Sequence, residues 1–147
     1  IMTLAPEDDT SHPFAYARIV GIFHVEVVHN VPGASLVLML MEVLWVRNFR
    51  IDKSFHTGFK VKWLHRLEFL PLDHPNSFGF VNLDEVIRGA HLIPAFHPGR
   101  TDEYLDGTSL ALDFEDYDDD FEWRYHYVNM FVDRDMYVWY VGGGVGH

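Results

Sequence analysis

The chain has no cysteine, which removes disulfides, thiolate nucleophiles and thiolate zinc sites together and is compatible with a reducing, intracellular compartment. Basic charge is scarce as well. Eleven Lys and Arg stand against 22 Asp and Glu, a formal net charge of −11, which opposes the attraction a phosphate backbone demands. Duplex DNA is therefore disfavoured as a partner. Long apolar runs are also missing: the longest, Leu36 to Met41, stops at Glu42, short of a membrane-spanning helix. No signal peptide is visible, and a start at Ile1 with a glycine run at Gly142–Gly144 suggests a piece of a longer protein.

What is present points to β structure. At 147 residues the chain has the length of one domain, enough to bury a core without covalent staples. Aromatics make up 16% of it, and Phe49, Phe69, Trp123, Tyr125, Tyr127, Phe131 and Trp139 fall in segments with strand periodicity, where rings pack well. The expected architecture is a mainly β single domain over residues 14–141, a small barrel or rolled antiparallel sheet with one or two short helices. A polar arm at 1–13 precedes it, ordered only if something holds it down. A Gly-rich tail at 142–147 follows.

Within that domain, Phe14 to His29 carries apolar residues on both strand faces and reads as a largely buried strand, ended by Asn30, Pro32 and Gly33. Leu36 to Phe49 mixes helix-forming Leu and Met with Val43, Leu44, Trp45, Val46 and Phe49, so its second half is expected to be β. Short strands are expected at Phe59–Trp63, Leu67–Leu70 and Ala90–Phe96, with a turn at Pro71–Ser77 and a helical or bridging turn around Leu83, Asp84 and Glu85. Glu122–Val132 and Met136–Val141 read as a hairpin around Asp133, Arg134 and Asp135.

Chemistry-bearing motifs are sparse. His24 and Glu26 share a strand face and could form a metal or acid/base pair. No His-Glu-x-x-His spacing, serine elbow or phosphate loop accompanies them, so catalysis has little support, no catalytic residue or metal site is assigned and no cofactor is expected. Lys53, Lys60, Lys62, His65 and Arg66 around Trp63 could face nucleic acid, through Lys60, Lys62 and Arg66 above all. The alternation there is equally that of a half-buried edge strand. The acidic run from Asp113 to Glu122 lacks the glycine of a calcium loop and reads as a solvated segment, with docking of a basic partner as the functional alternative.

Three segments resemble bromo-adjacent homology domains in matching order. Val43–Phe49 is similar to their Val-x-Val-x-Trp-Phe strand, although Asn48 stands where that pattern has tryptophan. Glu68-Phe69-Leu70, Val86-Ile87-Arg88-Gly89 and His91-Leu92-Ile93 follow their central block, and Phe121–Tyr127 their Phe-x-Cys-Arg-Tyr strand. Over more of its length the chain resembles transposon-associated proteins of mushroom-forming fungi, in Ile87–Phe96, Phe131–Met136 and Gly142–His147. Together these resemblances imply a non-catalytic interaction module, a chromatin or histone-peptide reader tied to a mobile-element protein and acting in the nucleus. Such a reader holds a quaternary cation on ring faces. The candidate rings are Trp45, Phe49, Tyr104, Tyr117 and Trp123, with Asp116, Asp118, Asp119 and Asp120 supplying the field for a basic peptide or histone tail. Trp45 and Trp123 weigh towards core, whereas Tyr104 and Tyr117 lie in polar loops and are expected outside. A metal-dependent enzyme or nuclease accessory using His24 and Glu26, and a structural or self-associating domain, are the competing readings.

Overall fold

The computed structural model describes residues 1–6, 12–28, 38–57, 64–104 and 122–141. The strand expected at Phe59–Trp63 and the acidic run up to Asp120 lie outside them. Mainly β structure is what forms, in open antiparallel sheets and without the closure of a barrel. The chain divides into two compact units, Ile1–Phe49 with Leu70–Gly89, and Arg50–Phe69 with Ala90–His147.

In the first unit, β1 (Met2–Leu4), β2 (Phe14–Val28), β3 (Leu38–Ile51, of which Arg50 and Ile51 belong to the second unit), β5 (Phe78–Asn82) and β6 (Val86–Arg88) pair antiparallel. Of the expected arm at 1–13, residues 1–6, 12 and 13 are described, and β1 holds its start to the sheet. β1 lies between β2 and β6, with Met2 opposite Tyr16 on one side and Arg88 on the other, and the Met2 side chain is fully buried. β6 reaches β1 through a short 3₁₀ turn, Leu83–Glu85, where the Asn82 side chain accepts from the Asp84 N–H at 3.1 Å. The chain thereby leaves β5 for the opposite edge, and no described strand joins the two edges. Leu44 and Val46 point from β3 into a core with Ala17, packed by Ile1, Val81 and Val86.

The expectation of a largely buried β2 is met only over its first residues. Phe14, Tyr16 and Ala17 are buried, but Ile22, Phe23, His24, Glu26 and Val28 are exposed. Apolar residues on both faces here mark a hairpin extending past its core. A bulge between Ile19 and Gly21 separates the two halves, with the extra residue reversing which alternate residues face the core.

In the second unit, β4 (Arg66–Phe69) pairs with β10 (His126–Val128), which pairs with β7 (Leu92–Pro94); β8 (Arg100–Thr101) pairs with β9 (Glu122–Trp123). β4 alternates cleanly: Leu67 and Phe69 are buried while Arg66 and Glu68 turn the other way, as a period of two dictates. The expected hairpin after Glu122 does not form. Its second half is a helix, α1 (Arg134–Val141). The Asp133 carboxylate accepts from the Met136 N–H at 2.7 Å, an N-cap that satisfies an otherwise unpaired donor, and Met136 is fully buried. Capping plus that anchor outweighs the strand preference of Tyr137, Val138 and Trp139.

Candidate functional site

The alternation that sends Leu44 and Val46 inward sends Val43 and Trp45 to the opposite face of β3. Register then places Phe23 beside Val43, Gly21 beside Trp45 and, across the other edge, Phe80 beside Trp45. These side chains and Val25 line a hollow of about 560 Å³ with no polar group in its wall. Three rings therefore converge there: Phe23, Trp45 and Phe80, the last 71% exposed. Trp45 is steadied from one side by Phe78, with ring centroids 5.9 Å apart. Gly21 matters to this arrangement. A Cβ on it would come within 3.1 Å of the Phe23 ring and 3.6 Å of Trp45, so a side chain there would displace the ring that forms one wall.

No family model, curated protein or solved structure matches this chain.

The other expected site residues fare differently. Tyr104 is a correction: expected outside, it is only 8% exposed. Its ring meets Phe69 edge-on at 6.0 Å, and its hydroxyl donates towards the Arg124 carbonyl at 3.3 Å and Glu68 Oε2 at 3.5 Å. Burial, and secondarily the Glu68 charge, pushes the phenol up to about 12, so it is a neutral wall of the second unit. Tyr104→Phe is expected to cost only about 1 kcal/mol in urea unfolding, because both hydroxyl contacts are long. Trp123 is half-buried, edge-on to Phe96 at 5.2 Å, and the Arg100 guanidinium lies 4.7 Å from its ring centre. Phe49 is buried. Tyr117, Asp116, Asp118, Asp119 and Asp120 lie outside the described residues, as do Lys60 and Lys62.

Arg66, expected to face nucleic acid, is turned inward instead. Its guanidinium sits between the Phe55 and Tyr125 rings, 3.9 and 4.2 Å from their centres, and donates to Asp52 Oδ2 through Nε at 2.8 Å. A cation between two rings over a carboxylate is thus built into this chain, with its own arginine as occupant. Burial pushes the Asp52 carboxyl up, but hydrogen bonds from Ser54 and Arg66 outweigh it, and the group is held below its ordinary value. His24, the metal candidate, has Glu42 across the strand with Nδ1 3.4 Å from Oε1, side chains 63% and 49% exposed. Among the described residues there is no group of three His, Asp or Glu able to hold a metal, and no helix is long and apolar enough to cross a membrane.

Reading the residues one strand at a time singles out Trp45 but misses Phe23, Val25, Val43 and Phe80. The alternation that puts Val43 and Trp45 on one face is visible in the sequence. The pairing of β3 with β5, which brings in Phe80, joins residues far apart in sequence and leaves no local signal.

Proposed function

We propose that the chain is a non-catalytic interaction module whose ligand is a basic peptide bearing a methylated lysine, held in the hollow between Phe23, Trp45 and Phe80. The convergence of three rings on an uncharged, apolar space carries this reading, because a methylated ammonium sheds its water cheaply and is attracted to ring faces by roughly 0.5–2 kcal/mol each. The net charge of −11 draws the rest of a lysine-rich peptide towards the protein over the range salt permits. A histone tail is the concrete peptide class proposed, in keeping with the resemblance to bromo-adjacent homology domains, and a nuclear role beside a mobile-element protein follows from the second resemblance. Relative to the sequence reading, the proposed cage keeps Trp45 and replaces Tyr104 and Trp123, whose positions are taken up by packing within the second unit, with Phe23 and Phe80.

Calorimetry with a lysine-rich peptide carrying one trimethyl-lysine, beside the same peptide unmodified, tests it. The methylated form is expected to bind at least about tenfold tighter, and Trp45→Ala to remove that preference. Equal affinity for the two peptides, or a preference that survives Trp45→Ala, would end the proposal.

A further inference from the structure

Beyond the bulge, β2 leaves β1 behind. The last described bonds on that side are at Ala17, whose N–H donates to the Ile1 carbonyl at 3.2 Å and whose carbonyl accepts from the Ile1 amino group at 2.8 Å, and from Arg18 to Val28 the only described strand beside β2 is β3. Among the described residues no further strand pairs with this long sheet edge. Its neighbourhood is apolar on both faces: Ile22, Leu38 and Leu40 are 64%, 67% and 69% exposed, and Phe23, Val28 and Met39 are also in solvent. Folded monomers ordinarily blunt such an edge with charges, proline or a covering element. Here the charged or titratable side chains from Gly21 to Val28 are His24 and Glu26.

From these features we infer that the chain self-associates through this edge, β2 of one copy pairing antiparallel with β2 of a second about a twofold axis at Val25. A twofold perpendicular to the sheet keeps like faces together, so only registers that oppose residues of the same face are open to it. Among these, the register centred on Val25 sets His24 opposite the second copy's Glu26, and Glu26 opposite the second copy's His24. It also sets Ile22 opposite Val28, Phe23 opposite Val27 and Val25 opposite itself. Moving the centre to His24 would place Ile22 against Glu26 and His24 against His24. The Val25 register alone matches charge with charge-partner and apolar with apolar along its length, which favours a second copy over an unrelated extended peptide.

The intrachain pairing continues the pattern. Glu42 stands beside His24, and Leu40 beside Glu26, so a row across the joined hairpins reads Glu42, His24, Glu26, Leu40. The rows flanking it on the same face, Leu44, Ile22, Val28, Leu38, are wholly apolar. Most of the net negative charge lies elsewhere in the chain, and its repulsion fades over about 10 Å at 0.1 M salt.

Because the chain lacks cysteine, a single introduced thiol reports the register. Directly opposed residues have Cβ atoms about 4.5–5.5 Å apart, close to disulfide range. With oxidised glutathione as electron acceptor, Val25→Cys is expected to convert most of the chain to a covalent dimer. Ile22→Cys would not, since its copy in the dimer lies about 20 Å away along the strand. Sedimentation of the unmodified chain should show a dimer, and Glu26→Lys should raise its dissociation constant about tenfold or more. A monomer throughout the micromolar range, or equal cross-linking by Val25→Cys and Ile22→Cys, overturns the inference. Val25 also lines the hollow, so the two proposals are separated on the unmodified chain: its sedimentation reads the edge, and its preference for the methylated peptide, against Trp45→Ala, reads the hollow.

Discussion

Phe69→Ala is expected to lower the unfolding free energy by about 3–5 kcal/mol, the range for emptying a fully enclosed aromatic site. Phe69 is wholly buried, and its ring packs edge-on against both Tyr104 and His126, with centroids 6.0 and 5.9 Å away. Deleting it removes the transfer energy of the ring and leaves a void that β4 and β10, fixed by their ladder, can collapse into only in part. Tyr104 would lose the neighbour that shields it, so its phenol should titrate closer to an ordinary tyrosine. Urea unfolding followed by near-ultraviolet circular dichroism measures the loss. Phe96→Ala is the control: that ring is 70% exposed and should cost within about 1 kcal/mol. Similar losses for the two would contradict the burial assigned to Phe69.

The second large effect belongs to Asp52. Its carboxylate and the Arg66 guanidinium are 6% and 15% exposed, and Asp52 also accepts from the Ser54 N–H and hydroxyl at 2.9 and 2.6 Å. Asp52→Ala leaves the guanidinium between Phe55 and Tyr125 without its countercharge, and breaking a pair that enclosed is expected to cost about 3–5 kcal/mol. Replacing both partners by leucine and methionine should cost far less, since no charge is then stranded. The pH dependence follows from the depressed carboxyl. Its folded pKa lies below the unfolded value of about 3.9, so the unfolded chain takes up the proton first as pH falls. The stabilisation is complete above the unfolded pKa and is lost as pH drops through the folded one. Stability of the unaltered chain should therefore decline more steeply below about pH 4 than that of Asp52→Ala, measured by urea unfolding at each pH.

How much of this is legible in the sequence depends on whether the deciding interaction is local. The alternation in Arg66–Phe69, the turn at Leu83–Glu85 and the strand character of Val43–Phe49 are written in neighbouring residues, and the structure has all three. The Asp133 cap is also local, but the β-favouring run Tyr137-Val138-Trp139 masks it. Burial of Tyr104 is not local at all, since its hydrogen bonds reach Glu68 and Arg124. Apolar residues on both faces of β2 argue for burial, yet the bulge at Ile19–Gly21 carries the strand past its core and leaves them outside. The same residues that mislead a reading of burial form the two surfaces proposed above, the ring-lined hollow and the bare edge.

The most direct test of the hollow as a cation site is a nuclear magnetic resonance titration with tetramethylammonium, following the indole N–H signals of the four tryptophans, with Trp45 assigned by its loss in Trp45→Phe. The Trp45 signal should move saturably and ahead of the others, and Phe80→Ala should abolish that movement. Shifts spread evenly over all the indoles, or confined to one other than Trp45, would contradict the account.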